Sequence, residues 1–448
     1  MLALAVLVLN HVAVIDVAGG TVKANRAVAI EAGRISSVAP ADSYHVPEGA
    51  RVLDLPGRYL APGLIDMHAH VLFPPLGPDG RPLPSFDRDT ALQMLRTLLA
   101  YGITTVRDTG DATEAAVTMR RLIASGKVIG PDMLTAGRIL TTSPLPHAIY
   151  APVASVEEVR KEVDWQAKVG VDFIKVYADM PPSFVRAAID EARRYGVPVI
   201  GHLQATTWTE AARMGISAIC HASPWAREYL PAEAQAAYQE IMWGRVYWLE
   251  HVDLRSQSIL EMMDTLVRNR VPVDPTLMAF RTKFWGDDPY YTASPHRSLA
   301  PPKLWAGWPQ RSNTADWTAA QYREARAQWP KLLALVKALF DHGVLLTAGT
   351  DTPFPWIIPG ISLHEELQLL SHAGLPTPAV LRTATVNAGR ALRREKDIGS
   401  VEAGKRADLI VLGANPLDAI ANTERIEWVI KGGRVFRPSD LLNGQAEH

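Results

Sequence analysis

Six residues of this chain combine metal-ligating side chains with spacings that suit them. His68 and His70 stand two apart after the apolar run Leu64–Met67. In a strand, residues i and i+2 project to one face, so both imidazoles can reach one ion. Lys175 lies inside the apolar stretch Asp172–Tyr177, where an ammonium is costly to bury. Its plain reading is a snorkelling or salt-bridged lysine. Its functional reading is a lysine whose charge is removed: reaction with CO₂ gives a carbamate, an anion able to bridge two cations. His202 and His221 each end a short apolar run, and nineteen residues separate them. Asp351 leaves the small-residue run Thr347–Thr350. It could cap a following helix, or it could bind a metal and take a proton from water. Each residue alone has an ordinary explanation; six at strand exits together point to one site. Cys220 is the single cysteine, so an intramolecular disulfide framework and a thiolate cluster are excluded. A metal must therefore rest on histidines and carboxylates.

The elements that would position these residues alternate. Eight short apolar runs read as strands: Leu64–Met67, Thr104–Asp108, Met133–Ala136, Phe173–Tyr177, Pro198–His202, Ala218–His221, Val271–Pro275 and Leu345–Thr350. Amphipathic stretches such as Ser183–Tyr195 lie between most of them. Eight strand–helix units predict a (β/α)₈ barrel, whose chemistry sits at the C-terminal strand ends. One long excursion, Pro275 to Leu345, holds Trp285, Trp305, Trp308 and Trp317 among prolines. An irregular connection of that length marks an active-site lid or a partner surface. Before the barrel, the runs Val12–Val17, Ala27–Ile30, Ile35–Val38 and Arg51–Leu55 predict a small antiparallel sheet. After it, Asp408–Leu412, Trp428–Lys431 and Arg434–Phe436 return to strand patterns. Two β-rich ends around an α/β middle can pair into one discontinuous domain.

Composition narrows the function classes. The 448 residues carry 46 Lys and Arg against 47 Asp and Glu, a net charge of −1. Such balance argues against bulk electrostatic binding to nucleic acid or to an anionic membrane. The apolar start Met1–Leu9 lacks the basic flank of an export signal, since no Lys or Arg precedes Lys23. It reads as a first strand, and residence in the cytoplasm is expected. No segment approaches the ~20 apolar residues of a membrane span.

The order and context of the six residues resemble the amidohydrolase superfamily over nearly the whole chain. Ala61-Pro-Gly-Leu-Ile-Asp-Met-His-Ala-His70 resembles its first-strand motif, Phe173-Ile-Lys175 its carboxylated-lysine strand, and Gly349-Thr-Asp351 its eighth-strand motif. Ile398–Leu412 with Asn415-Pro-Leu looks like its return into the terminal sheet domain. The imidazolonepropionase-related branch with metal-dependent Xaa-Pro and Xaa-Arg dipeptidases is the most similar, through Thr352-Pro-Phe, Pro359–Leu367 and Ala384–Ala388. The resemblance implies a barrel over residues 61–390 with an insertion at about 281–330. It also implies a composite β-sandwich made from residues 1–60 and 391–448.

The same resemblance implies two divalent metal ions, with zinc as the expected identity. His68, His70 and Asp351 would hold the more buried ion, and His202 and His221 the more exposed one. Carboxylated Lys175 and a hydroxide would bridge them. His147, in Pro144-Leu-Pro-His147, falls where related dipeptidases carry a histidine that could donate to the developing oxyanion. Tyr177 could face the substrate. Two departures stand out. His221 lies in Cys-His-Ala-Ser where relatives often have Glu-His-Gly, and Glu250-His251 competes with it. The interval from His202 fits one strand–helix unit and not two, which favours His221. The implied activity is attack of a metal-bridging hydroxide on an amide or peptide bond in a small substrate, a dipeptide or N-acyl amino acid. Asp351 would serve as ligand and base. Hydrolysis of a cyclic amide, lactone or carbamate would use the same ligands. A mononuclear deaminase or imidazolonepropionase would leave Lys175 without a metal role. A non-catalytic scaffold would be expected to lose ligands, and none is missing. Exposed tryptophans in the excursion suggest a homo-oligomer.

Overall fold

The computed structural model describes residues 6–445 except 78, 146 and 240. Of the expected strand Met1–Leu9, residues 1–5 lie outside that range, and the first strand runs Leu7–Asp16.

The middle of the chain closes into a barrel of parallel strands. Leu64–Ala69, Ile103–Asp108 and Asp132–Thr135 pair in one set. Ile139–Thr141, Ile174–Val176, Val199–Gly201, Ala218–Cys220 and Val273–Asp274 pair in the other, with Tyr150–Pro152 added at its edge. The third strand, expected as Met133–Ala136, is split. The chain bends at Gly137, in the left-handed region at φ 62°, and resumes at Ile139. A Cβ at Gly137 would meet Thr113 and Gln166 side chains at 2.8 and 2.9 Å.

The eighth strand, expected as Leu345–Thr350, forms only the single bridge Val273–Leu346. It still closes the barrel, because Met67 N donates to Ala348 O (2.9 Å) and Asp351 N to His68 O (2.8 Å). Gly349 permits this approach: a Cβ there would stand 2.7 Å from His68 Cβ.

Parallel strands need crossovers, and the helices supply them. Pro182–Arg193 buries Val185, Ala188, Ile189 and Ala192, an i, i+3, i+4, i+7 stripe against the barrel. Trp208–Met214 separates His202 from His221. A Thr207–Glu210 capping box starts it and left-handed Gly215 ends it. Inside the barrel, Ile65, Met67, Leu134, Phe173, Ile200 and Cys220 form an apolar layer. The polar strand ends sit beyond it.

Terminal strands share one eight-stranded sheet. Leu409–Leu412 runs antiparallel to Tyr59–Pro62, which lies parallel to Leu7–Asp16. Arg51–Asp54 is also parallel to Leu7–Asp16. The purely antiparallel sheet expected here is thus mixed, because the chain crosses over before entering the barrel.

The excursion is largely helical, not irregular. It comprises Leu277–Phe284, Pro289–Thr292, Pro302–Arg311 and Ala319–Ala327, followed by the barrel helix Trp329–Asp341. Several of its prolines occupy first helical turns, where a missing N–H leaves no bond unmade. The tryptophans expected as subunit contacts pack within the chain. Trp308 is buried and donates to Pro353 O at 2.9 Å, and Arg281 lies 3.5 Å above the Trp285 ring. No tryptophan is among the exposed large apolar side chains of the described residues. Among those residues, no helix is long and apolar enough to cross a membrane.

Candidate metal centre

The strand ends bring His68, His70, Lys175, His202, His221 and Asp351 to the wall of one cavity. His68 Nε2 and His70 Nε2 lie 3.3 and 3.4 Å from Asp351 Oδ1. The His68 and His221 rings are 4.5 Å apart, and those of His202 and His221 4.4 Å. His68, His221 and Asp351 each offer a ligand atom, all within 4.8 Å of one another. His221 and Asp351 hold left-handed backbone, at φ 67° and 72°. Non-glycine residues seldom adopt that conformation, and it is kept where surrounding structure imposes it, often at functional sites.

The donors suit a divalent metal. Burial pushes His68, His202 and His221 well below the ordinary imidazole range, so their lone pairs are free. Lys175 Nζ is buried and finds no oxygen acceptor among the described residues, only the weakly accepting Cys220 thiol beside it, and His202 Nε2 is unpartnered among them. The salt-bridged reading of Lys175 therefore does not hold. An unpaired buried ammonium is costly, whereas a neutral amine or a carbamate facing cations is not.

The imidazoles are held from behind. His68 Nδ1 pairs with Asp274 Oδ2 at 2.7 Å, while Arg107 Nη2 donates to Asp274 Oδ1 at 2.6 Å. Arg107 Nε in turn donates to Met67 O at 2.7 Å. His70 Nδ1 donates to Gly110 O at 2.7 Å. His221 Nδ1 pairs with Thr276 Oγ1 at 2.6 Å. Thr276 precedes the helix Leu277–Phe284, whose first N–H groups (Leu277, Met278) donate to buried Glu366. The Asp274 and Gly110 acceptors fix the tautomer of His68 and His70 that puts the lone pair on Nε2, and His70 Nε2 also lies 3.3 Å from Thr109 Oγ1. Burial raises Asp274 to about 6 in spite of Arg107.

The sequence reading passed over Asp274, Arg107, Thr276 and Glu366. Asp274 had a legible signal: it is a carboxylate leaving the seventh apolar run, by the same criterion that selected Asp351. Arg107 is a charge within the apolar run Thr104–Asp108. Glu366 lies in the segment Pro359–Leu367 that carries the resemblance, but its role behind Thr276 arises only through tertiary packing.

The other expected residues divide between the cavity wall and positions outside it. Tyr177 lines the cavity, its ring 5.1 Å from His202. His147 does not line it. Its ring packs 5.6 Å from Phe73 and 6.2 Å from Tyr150. His251 ends the helix Met242–His251, stacked on Tyr247 and away from the cluster.

Asp274→Asn is expected to keep the shape but unlock His68, lowering metal affinity about 10- to 100-fold. Asp274→Leu also strands buried Arg107 without its partner, a loss of roughly 3–5 kcal/mol. Metal competition titration and thermal melting check both; wild-type metal affinity in Asp274→Asn would refute the orienting role.

Comparison with known proteins decides the family. The amidohydrolase family model matches residues 59–225 and 323–436. The chain belongs to the amidohydrolase family. The segment between the two matched blocks holds Arg245, Asp274 and most of the excursion. An imidazolonepropionase of Shouchella clausii is 33% identical over 117 residues, 24% of this chain and 25% of that protein. The match thus spans about a quarter of such curated relatives. Over the whole fold, the chain resembles the bottromycin amidohydrolase AH (25% identity, TM-score 0.72, covering 98% of this chain and 90% of that one). It also resembles a Xaa-Pro dipeptidase crystallised with methionine in its active site (21% identity, TM-score 0.71, covering 97% and 100%). Those curated matches are to imidazolonepropionases over that quarter, and the likeness to the Xaa-Pro dipeptidase is one of fold.

Proposed function

We propose that this amidohydrolase is a binuclear metal-dependent hydrolase of an amide or peptide bond in a small substrate, a dipeptide or N-acyl amino acid. The observation that carries the reading is Lys175 Nζ, buried without an oxygen acceptor among the described residues and lining the cavity with His68, His202, His221 and Asp351. His68, His70 and Asp351 would hold one ion and His202 and His221 the other, with Lys175 as a carbamate between them. When bound, such a pair lowers the pKa of water and polarises a carbonyl.

The chain's own residues do the rest. Asp274, Gly110 and Thr276 fix three imidazoles. Asp351 takes a proton from the attacking water and returns it to the departing nitrogen. The family resemblance casts His147 as donor to the oxygen that gains negative charge. It packs on Phe73 and Tyr150 outside the cavity wall and would serve there only if bound substrate draws it in. Burial and the neighbouring Arg311 charge bring it down to about 4, so it is neutral near pH 7, and its Nδ1 has no partner among the described residues.

A second reading follows from the relatives named imidazolonepropionase: one metal and no role for the lysine. Elemental analysis separates them. Metal-replete protein is expected to hold close to two divalent ions per chain and to hydrolyse members of a dipeptide and N-acyl amino acid panel. Saturation at one ion would overturn the binuclear reading.

A further inference from the structure

The cavity wall is cationic beyond its metal-ligand set. Arg245, Lys283 and Arg311 line it, and among the described residues its one acidic side chain is Asp351. Among the described residues, no Asp or Glu forms an ion pair with any of these three cations. Ordinary charged side chains of this protein do find partners: Arg107 pairs with Asp274, Arg138 with Glu162 and Arg120 with Asp172.

The three cations occupy two corners. Arg245 stands on Met242–His251, after the sixth barrel strand, and Lys283 on Leu277–Phe284, after the seventh. They are close enough that burial together with the Arg245 charge brings Lys283 down to about 8. Both act on His202 and His221. Arg311 ends Pro302–Arg311 in the excursion, and its contacts are with the segment that follows the first barrel strand. Its Nη2 donates to Pro74 O at 2.6 Å, its Cζ lies 4.6 Å over the Phe73 ring, and its Nε is buried without a partner among the described residues. Phe73 in turn meets His70, with ring centroids 6.3 Å apart. The two groups therefore meet different parts of the imidazole cluster: Arg245 and Lys283 act on His202 and His221, and Arg311 packs on the Phe73 ring that meets His70. Like charges held together out of bulk water cost free energy unless an anion joins them.

We propose that the substrate carries a negatively charged group on each side of its scissile amide bond, one received by Arg245 and Lys283 and the other by Arg311. This rests on the amide-hydrolase reading of the site. The class is an amino acid acylated by a dicarboxylic acid, or a dipeptide whose first residue is acidic. A cationic side chain at either end is disfavoured. The assignment separates two tasks: strand ends hold the ligand set, and the connecting helices and excursion read charge.

The test compares N-succinyl-L-alanine, N-acetyl-L-alanine and N-succinyl-L-alaninamide on the purified full-length protein. The first has a charge on both sides, the others on one. kcat/KM for N-succinyl-L-alanine should exceed each of the others by about 10- to 100-fold, the scale of hydrogen bonds to charged groups. Arg311→Gln and Lys283→Gln should each abolish the preference for a different carboxylate. Arg311→Lys should restore part of it, which separates charge from folding. Dianion and monoanions cleaved within threefold of one another would overturn the proposal, as would Gln variants that keep both preferences.

Calorimetric binding of the same three compounds, with and without metal, keeps the two readings apart. If none is cleaved yet N-succinyl-L-alanine binds at least tenfold tighter and the Gln variants lose this, amide hydrolysis fails and charge recognition stands. Equal binding of all three overturns charge recognition whatever the activity.

Discussion

Lys175→Ala is expected to purify with at most one metal ion per chain and to lose kcat by about 10² or more, the least to be expected when a ligand rather than its supporting partner is removed. The reason is the environment of Nζ. It is buried without an oxygen acceptor among the described residues and lines the cavity with His68, His202, His221 and Asp351. A structural lysine in that position would have kept a carboxylate or carbonyl partner, because burying an ammonium alone is costly. Truncation should leave the barrel intact, since Ile174 and Val176 on either side keep their strand pairing. Short carboxylic acids should then enter the vacated volume and restore part of the metal content and rate. Metal analysis and kcat, each with and without added acid, check this. A Lys175→Ala protein with two ions and full turnover would make the lysine structural and remove the bridge from the proposed site.

Asp351→Asn separates ligation from proton transfer. Its Oδ1 faces His68 Nε2 and His70 Nε2 at 3.3 and 3.4 Å, which suits a shared ligand position. The backbone at Asp351 is left-handed, a conformation that asparagine tolerates as well as aspartate. The substitution should therefore leave the fold of the eighth strand unchanged. Asparagine can still ligate through its carbonyl oxygen, but it cannot accept a proton near pH 7. Metal content and KM should remain close to wild type, while kcat falls by roughly 10² or more, the scale of a general base. Two metals with turnover within about threefold of wild type, far below that scale, would leave Asp351 a ligand only. His147 would then be the residue to test.

The sequence by itself determined which residues stand at strand exits. Strand periodicity put His68 and His70 on one side, and unit length separated His202 and His221 by one crossover; both are local consequences of how far a chain travels per element. The barrel was legible for the same reason, as was the return of the terminal strands to a common sheet. Tertiary structure decided the rest. Asp274 lies more than two hundred residues from His68, yet they pair at 2.7 Å, because parallel strands seven and one are near neighbours only once the barrel closes. Glu366 likewise reaches the Leu277 and Met278 N–H groups only through the packing of distant helices. The eighth strand looked regular as a run of apolar and small residues, but its pairing depends on Gly349 passing within contact of His68. The tryptophan-rich excursion could not be read from pattern, since its helices are short and capped by prolines. Packing alone turned its tryptophans inward and brought Arg311 to the cavity. Charge at the cavity wall was invisible for a general reason: net charge sums over the whole chain, whereas recognition depends on which few charges the fold leaves unpaired.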